Sequence, residues 1–289
     1  MFNSLEELQR HLDKIMREQN RRAIPEFEGY SPAEMQDILD NSFEENGIIR
    51  LKKPKGLAYQ SVPVLNLVKY LSGLILKAGE MKLTLKGFLP VKIVADMYSQ
   101  GFYKEYYIES GLTKLYKEQD SISIHHAKVL LLVSGLTKKR NNKLSITKKA
   151  EKIISNDYLL LKLLFKKFTE KFNWAYADGY GENSIGQLGY GYSLILVEKY
   201  GKKERNDRFY AEKYFNAYPA LLNNLPDPGY STIEEYAKNC YSIRTFERFL
   251  KYFGLIKIKN ERRWDTDLFI AKSDFFNQII DIQPPNSSL

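Results

Sequence analysis

The adjacent pair His125-His126 is the first place to look for acid–base or metal chemistry, because imidazole changes charge near neutral pH and is the commonest metal ligand. Neighbouring residues on a helix point about 100° apart, so these two rings cannot share an ion without ligands from elsewhere. The third histidine, His11, lies in an acidic N-terminal stretch, and the one cysteine is Cys240. No metal site follows from this set. Cys240 ends a helical segment with no base beside it and reads as a small buried hydrophobe. Phosphate-loop, dinucleotide and nucleophile-elbow patterns are missing, and the glycines from Gly179 to Gly191 do not follow a strand and open a helix. The neighbours Glu234-Glu235 are explained by a helix start and its dipole. The chain is expected not to be an enzyme and to need no cofactor.

Cation spacing points elsewhere. Arg244, Arg248 and Lys251 recur at the interval that aligns side chains along one helix face, opposite Ile243, Phe246, Leu250 and Phe253. That is the place of a recognition helix, with Arg262, Arg263 and Trp264 at the tip of the hairpin behind it. An earlier wing region, with a polar turn at Lys138 to Asn142, carries Lys138, Lys139, Arg140, Lys143, Lys148 and Lys149. A DNA-binding or DNA-associated regulator would use these groups on double-stranded DNA, the helix in the groove and the hairpins on phosphates. The competing reading is a protein-interaction adaptor or homo-oligomer, in which lysine-rich hairpins merely keep strand edges from pairing. Trp174, Tyr176, Asp178 and Tyr180 would suit a stacking platform or a small-molecule pocket, but such a cluster is more simply core.

Composition bounds these readings. The 289 residues carry a net charge of +9, unevenly: Met1 to Arg50 hold 6 Lys and Arg against 11 Asp and Glu, the rest 38 against 24. An acidic first fifth is attached to a basic body, a polarity that fits either a nucleic-acid-binding surface with an acidic partner segment or plain attraction between the two parts. With 21 Tyr and 16 Phe the chain is not expected to be disordered. No stretch approaches the ~20 apolar residues of a membrane span, and the start is acidic and amphipathic, so a cytoplasmic protein with no membrane partner is expected. A single cysteine fits a reducing compartment.

The positioning elements are mostly helical. Ser4-Leu5-Glu6-Glu7 reads as a capping box, followed by Leu5, Leu8, Leu12, Ile15 and Met16 at helical spacing. Ser31-Pro32-Ala33-Glu34 opens a second helix. Leu71-Ser72-Gly73-Leu74 with Met81 to Gly87 repeats as Val133-Ser134-Gly135-Leu136 with Leu144 to Ala150, and more weakly as Phe253-Gly254-Leu255 with Leu268 to Lys272. In the first two copies a helix is followed by a polar turn (Lys77 to Glu80; Lys138 to Asn142), a short strand and another helix; the third orders as helix, strand, polar tip, strand, helix, the order of a winged helix. Ser231-Thr232-Ile233-Glu234 and Ser242 read as two caps, making a helix-turn-helix. A long helix is expected from about Arg205 to Leu222. The fold expected is mainly α, with two or three winged-helix-like (helix plus β-hairpin) units joined by a helical connector. The divisions are an acidic helical segment at 1–55, two tandem units at 56–155, an aromatic-rich connector at 156–225 and a C-terminal winged helix at 226–289.

Three segments carry a resemblance: Phe27-Glu28-Gly29-Tyr30-Ser31-Pro32-Ala33-Glu34-Met35, Leu83-Thr84-Leu85-Lys86-Gly87-Phe88-Leu89-Pro90 and Phe172-Asn173-Trp174-Ala175-Tyr176-Ala177-Asp178. Together they resemble an uncharacterised family of bacterial proteins, itself similar to parts of plasmid- and mobile-element-associated open reading frames. Tyr30 and Phe88 depart from the leucine and asparagine usual there. The resemblance implies the architecture; it supplies no activity or catalytic residue.

Overall fold

Helical periodicity governs most of the chain. The computed structural model, which describes residues 5–223, 225–259 and 267–286, is mainly helical with three small antiparallel sheets. Helix α1 (Leu5–Asn20) has no buried residue, and its expected cap Ser4 lies outside the described residues. Helix α2 (Pro32–Asn41) starts as Ser31-Pro32 dictates. The Ser31 hydroxyl accepts the Glu34 N–H at 3.3 Å, while the Glu34 carboxylate accepts the Ser31 N–H at 2.8 Å. Strand β1 (Ile49–Leu51) pairs antiparallel with Ile280–Ile282, zipping the acidic fifth to the far end of the chain.

Helix α3 (Pro63–Ala78), almost wholly apolar, leads to β2 (Met81–Lys82), α4 (Val91–Ser99), the short α5 (Tyr106–Glu109), α6 (Ile122–Val133), β3 (Thr137–Arg140) and β4 (Lys143–Ile146). The sheet order is β2-β4-β3, with Met81 opposite Leu144 and Thr137 opposite Ile146. The first two expected flaps are therefore one sheet. Met81–Lys82 has no hairpin of its own, because its apolar Met81 finds a buried partner, Leu144, in the later strand. Helices α3 and α6 pack together beneath this sheet.

After α7 (Lys148–Ile154) and α8 (Asp157–Glu170) come α9 (Tyr190–Tyr200), β5 (Arg205–Asn206), α10 (Asp207–Ala217), α11 (Ile233–Ser242), β6 (Ile256–Ile258), β7 (Phe269–Lys272), α12 (Asp274–Ile279) and β8 (Ile280–Ile282). The third sheet has the order β5-β7-β6. The helix expected from Arg205 instead begins after an extended pair of residues that joins this sheet, and Asn206 caps α10 by accepting the Arg208 N–H at 2.7 Å. Arg205 and Asn206, placed in the expected connector, thus pair within the C-terminal sheet.

The expected helix-turn-helix at Ser242 is absent. Thr232, one residue past the predicted cap, accepts the Glu235 N–H, and α11 then runs without a turn into π-helical residues Ile243–Leu250. Ser242 has helical backbone angles, and its hydroxyl donates to the buried Asp207 carboxylate instead of capping a new helix. One apolar core extends through the molecule. At its centre Phe168 of α8 stacks on Phe249 at 5.6 Å and contacts Trp174 and Phe253 at 5.1 and 5.2 Å. Truncating a buried phenylalanine of this kind costs about 3–5 kcal/mol.

Candidate nucleic-acid interface

The expected recognition stripe is closed. In a π-helix hydrogen bonds run to the fifth residue and each residue turns through less than the 100° of an α-helix, so i, i+4, i+7 spacing no longer defines one outer stripe. Residues 243–250 bury Arg244 completely, along with Thr245, Phe246, Phe249 and Leu250. Arg244 Nε donates to Asp178 Oδ2, Nη1 to Asn183 O at 2.8 Å and Oδ1 at 2.7 Å, and Nη2 to Gly181 O at 2.9 Å. The glycine-rich stretch makes this embrace possible. A Cβ on Gly186, at φ +80°, would lie 3.2 Å from Arg244 Cβ and 3.0 Å from Thr245 Oγ1.

Arg248 is half-buried and donates through Nη1 to Tyr176 O at 2.7 Å and through Nη2 to Ala177 O at 2.8 Å. Lys251 lies over the Tyr103 ring at 5.2 Å. Beside them opens a cleft of about 210 Å³ whose charged lining includes Lys104, Glu105, Glu247, Arg248 and Lys251, with Tyr103 and Tyr106. Both signs of charge meet there, which does not suit a polyanion. Arg262 and Arg263 lie outside the described residues.

Of the aromatic segment, Trp174 is core, whereas Tyr176 is 46% exposed and stacks on the His125 ring at 5.1 Å. The Trp174 indole donates to Phe168 O at 2.8 Å, and the Asp178 side chain is wholly buried as the counter-ion of Arg244. Sequence reading missed that pairing, though an aspartate inside an aromatic segment was its signal.

His125 and His126 are buried on α6. Glu118 binds His125 Nδ1 at 2.6 Å and Lys128 Nζ at 2.5 Å, and accepts the Leu89 N–H at 2.6 Å, so it ties α6 to the loop after β2. Burial raises the Glu118 pKa, but the hydrogen bonds from His125, Leu89 and Lys128 outweigh it and hold the carboxyl below its usual range. His126 rests edge-on against Phe172 at 4.7 Å. Cys240 is buried, and burial pushes its thiol up to about 12. Among the described residues no three His, Cys, Asp or Glu side chains gather where they could hold a metal ion.

The β3–β4 hairpin is the part of the expected interface that does face solvent. Asn141 and Asn142, at φ +48° and +56°, form its two-residue turn, the left-handed geometry that matches strand twist. Lys138, Lys139, Arg140 and Lys143 are exposed, while Thr137 and Leu144 anchor the strands inward. Lys143 pairs with Glu80 at 2.8 Å; among the described residues no ion pair engages Lys138, Lys139 or Arg140. Pairing of β2 with β4 brings Lys82 to the same sheet, opposite Lys143, and Lys139 Nζ approaches Gly87 in the turn that carries Lys86. That turn is braced by Thr84 N–H to Phe88 O at 2.8 Å and Asn142 Nδ2 to Thr84 O at 2.6 Å. Lys148 and Lys149 are exposed on the helix that follows. The adjacency of Lys82 and Lys86 was not foreseen, because it depends on a pairing between strands distant in sequence.

No family, curated protein or solved structure matches this chain. Its function rests on the geometry alone.

Proposed function

We propose that this protein is a DNA-binding or DNA-associated regulatory protein that holds the duplex backbone through the β3–β4 hairpin and the lysines beside it. The carrying observation is the solvent-facing cluster Lys138, Lys139, Arg140 and Lys143 on a paired hairpin, reinforced by Lys82 and Lys86. Residues 63–146 and 190–272 are read as two winged-helix units. What supports this is their common order of helix, strand, helices and hairpin, together with matching strand arrangements, first-third-second, in the two sheets. The helix in the recognition position of the first unit is α6, which is buried along most of its length, and that of the second contains Arg244. Neither offers a base-reading face, so binding is expected to be insensitive to sequence.

The test is fluorescence anisotropy with a duplex at two salt concentrations. Each neutralised phosphate contributes about 0.9 to the slope of log affinity against log salt, so the Lys138→Glu, Lys139→Glu, Arg140→Glu triple should lower that slope by up to about 2.7 and weaken binding. Unchanged affinity and slope would refute the reading. A protein-interaction adaptor is the second reading, favoured by one observation: the apolar face of α1 is exposed.

A further inference from the structure

We infer that α1 is a self-association element through which two copies of this chain pair antiparallel. Leu5, Leu8, Leu12 and Ile15 follow the alternating three- and four-residue steps of a coiled-coil seam, with Met16 at its margin. Nothing in the rest of the chain covers them among the described residues: Leu5 is 85% and Met16 57% exposed, Leu12 and Ile15 are also exposed, and only Leu8 is half-buried. An isolated helix of this length is marginal in water, so an apolar stripe on it calls for a partner surface.

The charge pattern selects the partner and its direction. Residues 5–13 carry Glu6, Glu7 and Asp13 against Arg10, whereas residues 14–20 carry Lys14 and Arg17 against Glu18, with Arg21 and Arg22 just past the helix end. A second copy laid antiparallel places the acidic half of each helix beside the basic half of the other and opposes the two helix dipoles. A parallel copy would place like against like. The seam centres near Arg10, so antiparallel helices cross there with their ends apart. The seam is short, and the pair is expected to be weak and strengthened by low salt. This inference does not rest on nucleic-acid binding.

Sedimentation velocity of the full chain over a wide concentration range reads the result. Reversible dimerisation is expected, and Leu12→Asp with Ile15→Asp should raise the dissociation constant at least tenfold. At concentrations below the dissociation constant the melting transition should be unchanged, because neither side chain is buried within the single chain. Direction is read by disulfide trapping: Gln9→Cys, near the crossing, should cross-link, and Gln19→Cys, at the helix end, should not. A chain that stays monomeric throughout, or whose association ignores the aspartates, overturns the inference. So does efficient cross-linking through Gln19→Cys, or a monomer that gains helicity only on anionic phospholipid vesicles.

Discussion

Arg244 is held on every side of its guanidinium, and this makes the site sensitive to either partner's loss. Removing Asp178 leaves a buried cation facing only carbonyl and amide oxygens. Breaking a buried pair in this way costs about 3–5 kcal/mol, mostly from the uncompensated charge that remains. Asp178→Ala is expected to lower stability by that amount in a urea titration. Asp178→Asn should cost less, since the amide oxygen still accepts from Nε. Arg244→Met should be at least as damaging as Asp178→Ala, because it strands the carboxylate and also leaves the carbonyls of Gly181 and Asn183 without their donors. If Arg244→Met left the midpoint unchanged, the guanidinium would have to be solvent-exposed, and the closed stripe would be open after all.

Helix α6 and the turn just before it each carry a group that makes the fold acid-labile: His126 and Glu118. Burial pushes the His126 imidazole well below the ordinary histidine range, and the charges of Arg248 and His125 push the same way. The unfolded chain therefore takes up that proton first. Stability from this group is whole above the unfolded value near 6.5 and declines as pH falls below it. Glu118, held below its usual range, contributes stability that is present above about 4.5 and lost as pH falls through its folded value. The unfolding free energy should thus be level from neutrality to about pH 8, below the range where the buried Cys240 thiol begins to count, and should fall below 6.5 by up to about 1.4 kcal/mol per pH unit for each group titrating. His126→Leu should remove the first decline and leave the one at lower pH; a decline that persists in H126L would assign it to another group.

The same elements show what the residues disclose by themselves. The Ser31 cap and the strand at Leu144 to Ile146 are local and were legible from side-chain types over a few residues; Lys138 to Arg140, expected in a polar turn, form strand β3 instead, with the turn only at Asn141 and Asn142. The orientation of Arg244 was not legible, because the α-helical interval fails where the helix widens into π-turns. Nor was β5, a two-residue strand in a polar run whose only reason to be extended is its pairing with Arg205 opposite Ile270. The merging of two expected flaps into one sheet was equally hidden, since alternation marks a strand but not its partner.

Charge organises the whole molecule through a few contacts between the acidic fifth and the basic body. Glu28 is the main one. Its carboxylate receives Lys199, Lys213 and the Tyr200 hydroxyl, each at 2.6 Å, and its side chain is only 5% exposed. Burial raises its pKa, but those three donors reverse the effect and hold it below the usual carboxylate range. Glu44 with Lys166 and Arg50 with Asp281 span the same boundary, but at exposures of about a third to a half that leave them screened. If attachment depends on the buried contact, Glu28→Ala should destabilise the protein by about 1–3 kcal/mol, because two ammonium groups lose a desolvated partner. Glu44→Ala should cost less than about 1 kcal/mol. Hydrogen exchange adds a local reading: the amides of Ile49 to Leu51 should lose protection in E28A and keep it in E44A. Equal effects of the two substitutions would mean that the strand pairing at Ile49 and Ile282 holds the segment without help from charge.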